Sequence, residues 1–147
     1  FIIFAIIFHF YSIFTLLLIK KFGAVTILGI VYGLLLLPMP ITGPPGFLPK
    51  VLLWMLAGTT SDILWTIFKN NKLGAVLTAA LMGVAVLFLF VRFLLLFQIP
   101  GGDKFASLAS KPIVIVGILV LSALGGILGQ FTYTKIRDTL IVKRIQQ

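Results

Sequence analysis

Five apolar runs, at residues 1–19, 24–37, 48–68, 73–99 and 113–133, alternate with short segments that hold most of the charge. A helical run of about 20 residues matches the roughly 30 Å hydrocarbon core of a bilayer. Backbone in lipid must satisfy its own hydrogen bonds, which leaves the helix as the form open to such isolated runs. The pattern predicts an all-α integral membrane protein, one transmembrane domain over 1–147. Five helices are visible, and the first run opens in mid-span without a Met, which predicts a sixth helix upstream. Only 10% of the residues are charged and 61% are hydrophobic. A water-soluble domain carries about 25% charged residues, so this chain lacks the polar material to cover a wet surface.

The connecting segments differ in kind. Residues 38–50 hold five of the seven prolines and two glycines. Prolines lack an amide donor, so the stretch predicts a stiff loop without regular secondary structure. The run before it, 24–37, has 14 residues and must tilt, thin the bilayer or borrow its flanks. Lys69-Asn70-Asn71-Lys72 predicts a tight turn, 100–112 a polar loop, and 134–147 a basic tail at the membrane interface. The first run has neither the basic flank nor the small-residue cleavage site of a signal peptide. With no cysteine and one histidine, a disulfide scaffold and a structural zinc site are excluded.

Charge sets the orientation. Twelve Lys and Arg face three Asp and no Glu. Alternating spans place Lys20, Lys21, Lys69, Lys72, Lys135, Arg137, Lys143 and Arg144 on one side, and Lys50, Lys104 and Lys111 on the other, with Arg92 inside a span. The richer side is cytoplasmic by the positive-inside rule, and the C-terminus lies there. The cations sit at the ends of apolar runs without interleaved aromatics, so nucleic acid is not the partner.

A few residues are costly to place in lipid. Asp62 lies within the third run, where a carboxylate costs about 2.5–3.5 kcal/mol on insertion scales. Trp54, Gly58, Ser61, Asp62 and Trp65 recur at spacings of three and four and share one helix face. That face lines a substrate cavity or a partner contact, or it packs helices with Asp62 bonded to a neighbouring helix or to the Asn70/Lys72 turn. Arg92 either anchors an anionic or polar group in an outward-facing cavity or snorkels to the headgroups. Counted from the outer helix ends, Asp62 lies about 21 Å deep and Arg92 about 10 Å, so an ion pair between them is not expected. His9 reads as an interhelical hydrogen bonder, with no further ligand to make a metal site. Trp54, Trp65 and Tyr32 suit ligand stacking or interfacial anchoring. Gly29-xxx-Gly33, Ala75-xxx-Ala79-xxx-Gly83 and Gly125-xxx-Gly129 predict close helix contacts. No nucleotide loop, paired carboxylates or cofactor motif is present, so an enzyme is disfavoured.

The arrangement resembles the substrate-binding S-components of energy-coupling factor (ECF) transporters. The resemblance is carried by Lys21-Phe22-Gly23-Ala24, the Pro/Gly loop, Leu56-Ala57-Gly58 with Asp62-Ile63-Leu64, the run from Ala75 to Gly83, and Leu124-Gly125-Gly126-Ile127-Leu128-Gly129 before the basic tail. It implies a six-helix bundle holding a vitamin or other small nutrient near the outer face, with 38–50 as a lid and Trp54 and Arg92 near the mouth. It also implies partners, a transmembrane coupling subunit and cytosolic ATPases. The expected substrate-binding residues are Trp54, Gly58, Asp62 and Arg92, with no cofactor and no metal. The competing expectation is a structural accessory subunit of a larger membrane complex.

Overall fold

The computed structural model describes residues 2–40, 42–69, 73–139 and 142–143, with side chains from Ile6 onward. Six helices follow one another: α1 (Ile2–Ile19), α2 (Ala24–Leu35), α3 (Pro49–Phe68), α4 (Gly74–Leu96), α5 (Gly102–Ala109) and α6 (Pro112–Ile136). Prolines open α3 and α6, where a missing amide hydrogen costs nothing and the fixed φ suits a helix start. Gly23 and Gly101 precede α2 and α5 at φ 91° and 83°, a left-handed backbone that other residues rarely adopt. Among the described residues of 38–48 the backbone makes turns and bends, as the prolines dictate.

Three helices, α3, α4 and α6, are long and apolar enough to cross a membrane; α2 and the stretch Ile6–Ile19 of α1 are shorter apolar helices. Their outward side chains are apolar as well: Ile113 is 79% exposed, Leu96 76% and Ile27 64%. A surface this rich in exposed aliphatic groups is compatible with lipid and ill suited to water.

Glycines set the packing. On α2, a Cβ at Gly33 would fall 2.7 Å from the Val51 Cα, and one at Gly58 of α3 would fall 2.8 Å from the Thr26 Cα. The two helices therefore lie antiparallel with backbone against backbone. On α6, Gly125 and Gly129 face the Ile6 and Phe10 carbonyls of α1 at 2.6 and 2.8 Å from a built Cβ, so these helices run parallel. Gly126 faces Ala79, and Gly83 faces Ser122, which sets α4 antiparallel to α6. All three small-residue repeats thus sit in helix contacts. The ends of α1, α3 and α6 consequently fall together, and exposed Lys20, Lys21, Lys69, Lys135 and Arg137 form one basic end of the bundle. Lys72 and Arg144 lie outside the described residues.

Two segments depart from expectation. The polar loop at 100–112 contains α5, an amphipathic helix with Asp103 in its first turn and Ala109 buried. Phe105 meets Phe90 edge to face at 5.2 Å, and this contact to α4 outweighs the polar Gly-Gly-Asp-Lys start. The basic tail begins inside α6, where Lys135 Nζ lies 4.4 Å from the centroid of the Phe131 ring. Beyond it, Arg137 and Asp138 form an exposed 3.6 Å ion pair of small energetic weight.

The glycine contacts yield a paired prediction. Gly33→Val forces a branched side chain against the Val51 backbone and should destabilise by about 1–3 kcal/mol. Gly117→Ala, whose Cβ meets nothing within 4 Å, should stabilise by about 0.5–1 kcal/mol through helix propensity. Thermal unfolding of both variants in one detergent, followed by circular dichroism, checks the contrast.

Candidate functional site

Helix α2 begins without a capping side chain of its own, because its N-cap is Gly23. The amides of its first turn still need acceptors. Asp62 supplies them from α3. Its Oδ1 accepts the Val25 amide at 3.3 Å, and its Oδ2 accepts the Thr26 amide at 2.9 Å and the Thr26 hydroxyl at 2.7 Å. Asp62 is 1% exposed. A carboxylate at a helix N-terminus is held by charge-assisted bonds and by the positive end of the helix dipole. The neighbouring Thr59 hydroxyl lies 3.2 Å from that of Thr26 and donates to the Met55 carbonyl at 2.9 Å.

The other end of α2 is held by the same helix. Lys50 Nζ donates to the Met39 carbonyl at 2.6 Å and to the Leu36 carbonyl at 3.4 Å, at the negative end of the dipole. Lys50 is fully buried at 0% exposure, although charge counting groups it with the loop cations Lys104 and Lys111. Twelve residues separate Lys50 from Asp62, about 18 Å of helix at 1.5 Å per residue. Helix α2, 12 residues long, has the same length. α3 therefore carries an acid and a base at the spacing needed to close both ends of α2.

Three of the four expected site residues share one face of α3, and the fourth, Arg92, lies on α4. Trp54, 4% exposed, packs at ring-centroid distances of 4.9 Å from Phe8 and 5.1 Å from Tyr32, while Leu36, Ala57 and Met82 join the same buried cluster. Gly58 is pressed against the α2 backbone at Val25 and Thr26. Ser61 donates to the Ala57 carbonyl at 2.9 Å and lies 2.7 Å from Met82 Sδ. These three and Asp62 share the buried face of α3, where the Asp62 carboxylate bonds to α2 and the Ser61 hydroxyl to its own helix. Arg92 stands apart on α4 with an exposed side chain. Asp62 hydrogen-bonds to a neighbouring helix, one of the two arrangements open to it; Asn70 and Lys72, the other, lie outside the described residues.

One recess among the described residues lies elsewhere. Between α1 and α2, a cavity of about 200 Å³ is walled by Phe8, Tyr11, Leu28 and Tyr32. Tyr32 is the one wall residue that the sequence marks for stacking. Phe8 and Tyr11 at i, i+3 and Leu28 and Tyr32 at i, i+4 are the spacings that place each pair on one helix face. Neither pair contains a charge, so a search led by costly polar groups passes over both. Phe47, in the proline loop, packs on Phe93 and Phe97 at 5.9 and 5.2 Å, which fixes the loop to the end of α4.

Two substitutions test the clamp on α2. Asp62→Leu removes the acceptor from two amides and a hydroxyl and should cost at least the roughly 0.5–2 kcal/mol of a lost N-cap. Asp62→Asn, which keeps one acceptor oxygen, should cost less. Lys50→Met leaves the Met39 and Leu36 carbonyls without the ammonium and should raise amide exchange at the α2–loop junction. Hydrogen exchange read by mass spectrometry over 24–40 locates both effects. No family model matches the chain, and no curated protein or solved structure matches it.

Proposed function

We propose that the chain is a multi-pass membrane subunit of the S-component kind, with its basic end in the cytoplasm. The cavity between α1 and α2 holds a small ligand that partner ATPases and a coupling subunit help to move. The observation that carries this reading is the cavity itself, about 200 Å³ bounded by three aromatic rings and one leucine. Apolar cavities of about 150 Å³ accommodate a benzene-sized ring. Aromatic walls favour a flat, ring-sized group over an extended polar one. The orientation follows from Lys20, Lys21, Lys69, Lys135 and Arg137 at one end of the helices.

A specific observation favours the second reading, a structural accessory subunit. Asp62 and Lys50, the two buried charges of α3, both bond to the chain's own α2 and its following loop. Neither is left to recognise a substrate.

Native mass spectrometry of the detergent-purified protein separates the two. The ligand reading expects a small molecule to co-purify, and expects Leu28→Trp, which fills the cavity, to abolish its retention without lowering thermal stability. Co-purification of ATPases and a coupling subunit would support transport. An empty protein retained in a large assembly without ATPases would favour the accessory subunit.

A further inference from the structure

The cavity has a direction. Its inner wall is Phe8, 3% exposed, and its outer wall is Tyr11, 54% exposed, one helical turn away on α1. Tyr11 stands nine residues from the start of α1 and eight from its end. At 1.5 Å per residue it is about 12 Å or more from either end. Beside the wall residues in sequence stand Ile7 on α1 and Ile27 and Val31 on α2, exposed by 45%, 64% and 48%. Their outward side chains are aliphatic. Towards the proline-loop end the way is closed by the packed layer of Phe8, Leu36 and Trp54, each at most 5% exposed. Fully buried Lys50 lies beyond it, tied to Leu36 and Met39.

We infer that the cavity opens sideways into the hydrocarbon, and that its ligand is a lipophilic molecule that arrives through the bilayer. The inference rests on the ligand-binding reading and names its substrate class. From the proline-loop side, entry from water would require passing the Phe8–Leu36–Trp54 layer. Entry from lipid requires only that Tyr11 swing on its exposed side. The surface that lines it is apolar, the rings of Phe8, Tyr11 and Tyr32 with Leu28, so a polar ligand would lose its hydration with few hydrogen bonds in return. An apolar ring or chain loses nothing by leaving the acyl chains and gains contact with Phe8 and Tyr32.

Trp54 reports on the cavity, because its ring touches both Phe8 and Tyr32. In a Trp65→Phe background it is the sole tryptophan of the chain. That protein is reconstituted into phosphatidylcholine vesicles with or without bromine atoms at mid-chain, the brominated chain standing in for the ligand. Mid-chain bromine should quench Trp54, and aqueous acrylamide should not. Leu28→Phe, which narrows the cavity, should remove that quenching. Leu56→Phe, on the exposed face of α3, should leave it in place, with thermal unfolding confirming that both variants are folded.

Bromolipid quenching that survives Leu28→Phe would overturn the sideways opening. So would quenching by acrylamide in place of bromolipid, or retention of a polar molecule in native mass spectrometry, and either would leave the ligand-binding reading standing. If neither quencher reaches Trp54 and no molecule co-purifies, both readings fall together.

Discussion

The clamp of α3 on α2 is the interaction on which the rest of the bundle depends. A helix of 12 residues has too few internal hydrogen bonds to be secure by itself, and its ends leave amides and carbonyls exposed to an apolar surrounding. Asp62 and Lys50 answer both ends from one neighbouring helix, about 18 Å apart along its axis. Each charge alone would be costly to bury. Each is instead placed at the dipole end of opposite sign and bonded to backbone groups that would otherwise lack partners. The two penalties, buried side-chain charge and uncapped helix ends, cancel against each other.

Close approach makes the clamp geometrically possible. The Asp62 carboxylate reaches the Val25 and Thr26 amides because Gly58, one turn away, lets the two backbones touch. Gly29 and Gly33 continue that contact along α2, against Trp54 and Val51. In lipid there is no hydrophobic force to press helices together, so van der Waals contact between small residues and bonds between polar ones must suffice. The α2–α3 hairpin has both. The α1–α6 pair relies on Gly125 and Gly129 with their close carbonyl contacts.

Much of the fold was legible in the chain. The apolar runs foretold the long helices within a few residues, because length and hydropathy are local properties. The small-residue repeats foretold the contacts, because a missing side chain matters wherever two backbones meet. Asp62 was legible as a costly group facing inward, but not as the cap of α2, since its partners lie 36 and 37 positions upstream. Lys50 was legible only as a cation of the poorer side; its burial was not, since the carbonyls it meets lie 11 and 14 positions upstream. Helix α5 was hidden because its polar start masks a single apolar face of two turns. Arg92 was marked by its charge, and its side chain is exposed.

The cavity is a by-product of the same contacts. Glycines draw α2 onto α3 and α1 onto α6, and among the described residues no comparable pair of glycines joins α1 to α2. Across that seam stand Phe8 and Tyr11 on one side and Leu28 and Tyr32 on the other, side chains too large for the backbones to close. The space they leave has the chemistry of its spacers, aromatic and uncharged. No charged residue lines it, and the two buried charges of α3 are directed at α2 and its following loop. One assignment of residues thus explains both why Asp62 and Lys50 are occupied and why the hollow beside them is apolar. It also explains why the seam faces the aliphatic exterior: α1 and α2 each turn their strongest contacts inward, and the weaker boundary between them is what remains at the surface.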